Sequence, residues 1–393
     1  MSTDVPMISS IPIFDGHNDT LLALHQSRAN NKPGYSFFER NEQGHIDLPR
    51  VRAGGMGGGF FAIFTPSTNH QSAPVPGVTG SGAAGYAIPT APAVDQATAL
   101  KFTVDLAADL FRLEREGQGT IKVVRTAAEM AQCLAEGTLA MIFHIEGAEA
   151  IDTELNALET LYQAGLRSLG ITWSRPNAFA SGVPFAFPSS PDTGPGLTAA
   201  GKALVRACNE LGIMVDLSHL NEKGFWDVAQ LSSAPLVATH SGAHALCASA
   251  RNLTDAQLDA IRASGGMVGV NFHVGFLRAD GKRDGATTPL TEIVRHLDYM
   301  VERMGIDHVA LGSDFDGAVM PGDLRDVAGL PKLMDALAAA GGTSLLGRQG
   351  FGPAAQRIAD RQKSARKMRM FTLVLTVAVT LLACVLLYIV FRR

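Results

Sequence analysis

The chain has 393 residues, 46% of them hydrophobic, enough to bury one large domain or two ordinary ones. Its net charge of −4 conceals an asymmetry. From residue 361 onward there are seven Lys or Arg and no acid, leaving 26 basic against 37 acidic residues before that point, about −11. An acidic main body argues against nucleic acid as a partner, and four cysteines (Cys133, Cys208, Cys247, Cys384) without CxxC spacing argue against a disulfide framework or a cysteine zinc site.

The opening MSTDVPMISSIPIFDG lacks a basic stretch followed by an apolar one, so no cleaved secretion signal is expected. The first predicted strand is 11–15, running into GHND, and the second is 59–65. Residues 66–92, rich in Pro, Gly, Ser and Ala, read as a long loop, either crossing over a barrel mouth or mobile. A helix is predicted over 95–116, then a strand at 139–145 ending at Glu146, a helix at 155–164 and a strand at 167–173. A helix at 197–211 leads to strands at 213–217 and 236–239, separated by a helical segment. Helix 254–263 follows, with Thr254 as N-cap and Gln257 three residues on, then strand 267–272, helix 290–304 and strand 309–312. Eight strands alternating with helices give the expected fold class, an α/β (β/α)8 TIM-like barrel. A doubly wound sheet is the runner-up. The glycine cluster at 54–59 neither follows a strand nor opens a helix, so it is no nucleotide motif.

Residues 371–391, FTLVLTVAVTLLACVLLYIVF, carry no charge. As a helix they would span roughly 30 Å, the thickness of a bilayer core. Arg361, Lys363, Arg366, Lys367 and Arg369 precede them, against only Arg392 and Arg393 after. This predicts a transmembrane helix serving as a single-pass C-terminal membrane anchor, with the main domain cytoplasmic. The expected domains are a barrel at 1–345, a basic linker at 346–370 and the membrane helix at 371–391.

Polar residues mark the strand ends. The first strand gives His17 and Asp19, which face one side because side chains in an extended segment alternate. The third gives Glu146, the fifth His219, the sixth His240 and the eighth Asp314. In a barrel these ends meet on one face. Three imidazoles and two carboxylates exceed what one catalytic zinc usually takes, and suit two ions about 3.5–4 Å apart. Such a pair points to amide hydrolysis. His25, His45, His70, His144, His273, His296 and His308 read as structural histidines, and His244 as a neighbour of the ligands.

The segments DGHND, FHIEGAEAI, VDLSH, THSGAHALCASARN and GSDFDG, in this order and spacing over about residues 11–340, resemble the membrane (renal) dipeptidase family. The resemblance implies a two-zinc (Zn2+) barrel enzyme, a metalloprotease that hydrolyses dipeptides by a metal-bridged hydroxide; a homodimer is a separate expectation. It implies that His17 and Asp19 bind one zinc, His219 and His240 the other, and that Glu146 bridges them. Arg251 would hold the substrate carboxylate, a role suited to guanidinium geometry, and Asp314 would pass a proton from the attacking water to the leaving amine. Two departures stand out. Trp173 occupies the place of a family histidine, making it a substrate-binding candidate, with Arg175 or Asn177 as substitutes. The match also fades near Ala340, where the membrane anchor is an addition. The alternatives are a two-metal amidohydrolase acting on another amide, such as an N-acyl amino acid, and an inactive membrane-tethered binding protein.

Overall fold

Short runs of β-branched and apolar residues between glycine-rich turns form eight parallel strands: β1 (Ile13–Asn18), β2 (Met56–Phe64), β3 (Leu139–Glu146), β4 (Ser168–Gly170), β5 (Met214–Asp216), β6 (Val237–Ser241), β7 (Met267–Asn271) and β8 (Val309–Gly312). The computed structural model describes residues 12–29, 36–67 and 85–340. The order β2-β1-β8-β7-β6-β5-β4-β3 closes on itself, because β3 pairs back along β2 from Gly58↔Ala140 to Phe64↔Glu146. A closed parallel barrel leaves its strands no free edge and brings all eight C-terminal ends to one rim.

One short strand, Ile121–Val123, escaped the sequence reading. It pairs with Leu139–Met141 on the side of β3 that β4 occupies higher up, at His144–Glu146. At three residues it is too short to show a period. Across the long early loop, Tyr86–Ala87 forms a two-stranded antiparallel sheet with Ala186–Phe187. His70 lies outside the described residues.

The helices pack one apolar stripe inward. Thr291–Met304 buries Ile293, Val294, His296, Leu297, Met300 and Met304, spaced by three and four residues. Thr254 caps Asp255–Ala263, and Gln257 closes the reciprocal capping box. Tight strand approach inside the barrel depends on glycine: a Cβ on Gly16, Gly269 or Gly312 would collide with the Thr239 carbonyl.

The expected C-terminal membrane helix is corrected. Among the described residues no helix is long and apolar enough to cross a membrane, and residues 371–391 themselves lie outside that description. The 21-residue helix Gln96–Glu116 has the length but carries charges on its outer face and buries only one stripe. The added anchor, the membrane as a partner and the single-pass location all fall with that helix. So does the cytoplasmic placement, which rests solely on the charges flanking it. The homodimer expectation is withdrawn as well, because no observation supports it. The chain divides into two units, Met1–Leu346 and Gly347–Arg393, and the second lies outside the described residues.

Candidate metal centre

The rim collects the side chains that the strand ends carry. His17 sits within β1 and Asp19 just past it, Glu146 is the last residue of β3, and His240 lies in β6. His219 follows β5 by three residues and Asp314 follows β8 by two. Both adopt left-handed backbone angles, φ 65 and φ 61, a conformation disfavoured for L side chains. Non-glycine residues held this way cluster at functional sites, where the surrounding structure fixes the strain.

One atom is the focus. Glu146 Oε1 lies 3.0 Å from His219 Nε2, 3.4 Å from His240 Nε2 and 3.8 Å from His17 Nε2. The two imidazole nitrogens of His219 and His240 face each other at 3.1 Å, and the rings of His17 and His240 stack at 3.8 Å. Asp19 Oδ2 lies 3.5 Å from His17 Nε2, without hydrogen-bond geometry. Three sets of atoms close enough to share an ion result: Glu146–His219–His240, His17–Asp19–Asp314 and His17–Asp216–His240.

The donor set fits a cation. Both ring nitrogens of His17 and Asp19 Oδ1 are buried without a hydrogen-bond partner. Buried polar atoms are rarely left so in folded proteins. Burial pushes the Glu146 carboxyl up to about 8. It also opposes charge on His17, yet Glu146, Asp19 and Asp314 together outweigh it and raise that imidazole to about 10. Burial, with the positive charges of Arg251 and His17, holds His219 and His240 well below the usual histidine range. Neutral His219 and His240 beside buried carboxylates form a ligand set suited to a divalent cation, which would take the place of the proton on His17.

Around this set the remaining candidates take their places. Arg251 is buried. Its Nη2 donates to the His240 carbonyl at 3.0 Å and its Nη1 reaches Ser241 Oγ at 3.4 Å, while its Nε has no hydrogen-bond partner. Burial lowers the guanidinium to about 10, against the pull of Asp314 and Glu146. Asp314 is partly open, and its Oδ2 accepts from Asn271 Nδ2 at 2.9 Å. Trp173 stacks near His219, centroid to centroid 6.0 Å, and meets Phe185 and Phe64 at 5.3 and 4.8 Å. Neither suggested substitute reaches the centre. Arg175 is fully buried on Glu149 Oε1 at 2.7 Å and the Thr65 carbonyl at 2.7 Å, and Asn177 bonds its own loop at the Ile171 carbonyl.

Two neighbours of the centre, Asp15 and Asp216, went unassigned in the sequence, and a third, His144, read there as structural. Asp15 accepts from the Ser313 backbone N–H at 2.7 Å and its hydroxyl at 2.8 Å, tying β1 to the turn that carries Asp314. Burial raises Asp15 to about 6. Its signal was present, since 15, 17 and 19 share one face of an alternating strand. Asp216 is an acid inside an apolar strand, 1% exposed, and His144 faces it at 3.8 Å from within β3. His144 therefore borders the centre. His296 sits apart in its helix, its Nδ1 accepting from Ala243 N–H at 3.0 Å and its Nε2 donating to the Leu277 carbonyl at 2.9 Å.

Residues 2–366 match the profile of the membrane dipeptidase family (peptidase family M19). A metallopeptidase from Rhodobacter sphaeroides, solved with a phosphinate mimic of the dipeptide L-Ala-D-Ala, superposes with a TM-score of 0.82 at 50% identity, covering 86% of this chain and 95% of that one. An uncharacterized protein from the PQQ-III 3′ region of Acinetobacter calcoaceticus is 42% identical over 75% of this chain and 90% of its own length. Another, from the pqqA 5′ region of Klebsiella pneumoniae, is 56% identical over 59% of this chain and 85% of its own.

Proposed function

This chain belongs to the membrane dipeptidase family, peptidase family M19, and from that premise we propose how its residues divide the reaction. The protein is a metallo-dipeptidase: it hydrolyses dipeptide-like substrates in a zinc-dependent reaction at a metal cluster. The inactive-binder alternative is set aside. The number of ions and the roles below are our own reading. His17 and Asp19 would hold one zinc and His219 and His240 a second, with Glu146 between them. The observation that carries this is the single Glu146 oxygen faced by three Nε2 atoms. Such a pair, when bound, polarises a carbonyl and makes a nucleophile available at neutral pH.

Arg251 anchors the substrate's free carboxylate. Its guanidinium is held by a backbone carbonyl and a serine, buried, and has a donor to spare. Asp314 takes the proton released as the carbonyl is attacked and delivers it to the amine as the C–N bond breaks. Asn271 fixes one carboxylate oxygen and leaves the other for that transfer. Trp173 lines the site as an aromatic wall beside His219, able to pack on an apolar side chain. The ligand of the Rhodobacter protein supports small dipeptides ending in a D-residue as the substrate class.

The test is elemental analysis of the purified full-length protein together with a dipeptide panel that includes L-Ala-D-Ala. About two zinc per chain, hydrolysis abolished by a chelator and restored by zinc are expected. Undiminished turnover after complete metal removal would contradict the reading.

A further inference from the structure

Asp216 touches none of the five proposed ligands within hydrogen-bond distance, yet the structure builds a path from it to His240. Asp216 ends β5 and is 1% exposed. Its Oδ1 accepts the backbone N–H of Ser218 at 3.0 Å and of Thr239 at 2.8 Å. Its Oδ2 accepts the Thr239 hydroxyl at 2.6 Å, and that hydroxyl lies 2.9 Å from His240 Nδ1. The Thr239 carbonyl packs close against the backbone of Gly16, Gly269 and Gly312, where a Cβ on any of the three would collide with it.

A hydroxyl has one proton to give. Given to the Asp216 carboxylate, it leaves only lone pairs for His240 Nδ1, which must then carry its own proton. We infer that Asp216 is a positioning residue: acting through Thr239, it sets the tautomer of His240 so that Nε2 is the bare nitrogen facing Glu146. His219 has no equivalent constraint, since its Nδ1 rests on the Ser174 hydroxyl at 2.8 Å, which can donate or accept. Neither ring nitrogen of His17 has a hydrogen-bond partner. Of the three imidazoles, His240 is the one whose metal-binding form the chain selects before an ion arrives.

This inference rests on the reading of His240 as a ligand, and the experiment separates the two. Zinc binding by the full-length protein is titrated against a chromophoric chelator for wild type, Thr239→Val, Thr239→Ser and Asp216→Asn. Removing a partner that orients a ligating histidine typically weakens metal affinity roughly 10–100-fold. Thr239→Val should lose that much at one zinc equivalent while the other stays near wild type, and Thr239→Ser, which keeps the hydroxyl, should restore it. In Asp216→Asn the two backbone N–H groups hold the amide oxygen, so the amide NH2 turns to Thr239. The hydroxyl then donates to Nδ1 and places the proton on Nε2, the kind of tautomer error that an amide in place of an orienting carboxylate produces. That variant should match Thr239→Val, which covers the case in which the valine protein does not fold. Unchanged affinity in Thr239→Val or Asp216→Asn, or a serine variant as weak as the valine one, would overturn the inference. A wild-type protein that binds no zinc would instead overturn the metal centre itself, and the relay with it.

Discussion

The rim of the barrel and the helix layer outside it both bury histidine completely: His17 and His296 are each 0% exposed. At His296 the chain satisfies both ring nitrogens, with Ala243 N–H on one side and the Leu277 carbonyl on the other. At His17 it satisfies neither, and the carboxylate oxygens of Asp19 and Glu146 stand 3.5 and 3.8 Å from its Nε2. Burial alone therefore does not separate a structural histidine from a ligand. What separates them is whether the fold has already supplied the partners. A buried group left unpaired carries a desolvation penalty that something outside the polypeptide has to relieve.

The sharpest way to break this contrast is at its centre. Glu146→Ala should abolish zinc retention and lower dipeptide hydrolysis by more than the roughly 10–100-fold typical of removing a supporting partner. Elemental analysis alongside a rate assay reads both, and a variant that keeps two zinc ions would show that the nitrogens do not need Glu146. Next, Asp314→Asn should lower kcat by about 100- to 10,000-fold, the range of lost general acid–base assistance, with zinc content close to wild type. Loss of metal in that variant would make Asp314 a ligand, as its place in the His17–Asp19 set allows. Arg251→Lys comes third. It keeps the charge but removes the planar fork, so KM for dipeptides should rise about 10-fold or more while kcat changes less. Equal use of dipeptides with free and amidated C-termini by the wild-type protein would remove the carboxylate anchor.

The smallest effect belongs to the other side of the comparison. Burial lowers His296 to about 4, so the folded protein keeps it neutral while the unfolded chain takes up a proton near pH 6.5. Its contribution is complete above about pH 6.5 and drains away as pH falls towards 4, by at most about 3 kcal/mol. The stability gap between wild type and His296→Gln, from denaturant titrations, should therefore shrink between pH 7 and pH 5. A gap that stays constant would mean His296 is not held neutral.

Within the site, what could be read in advance followed from strand periodicity. His17, Asp19, Glu146, His219, His240 and Asp314 stand at the ends of apolar runs, and a parallel barrel has one place for such ends to go. Asp15 escaped notice although it shares the alternating face of His17. His144 was placed with the structural histidines because nothing in FHIEG separates an inward-facing ring from a packed one. Arg175 and Asn177 looked available next to Trp173 but are bound into their own loop and the barrel wall. The apolar run at 371–391, whose length and hydropathy suggested a membrane helix, lies outside the described residues, and among those residues no helix is long and apolar enough to cross a membrane.

Periodicity, turn residues and the order of the motifs were enough for the sequence to determine the alternation of eight strands with helices and which side chains stand at the strand ends, because these follow from local spacing; closure of the barrel through β2 and β3 was decided by pairing across the chain. The sequence could not determine which nitrogen carries a proton, which carboxylate oxygen faces three rings, or that Asp216 reaches His240 through a threonine. Those depend on contacts between β3, β5 and β6, whose residues lie from about 20 to nearly 100 positions apart in the chain, and on hydrogen-bond directions within a few tenths of an ångström. Only the packed barrel sets them.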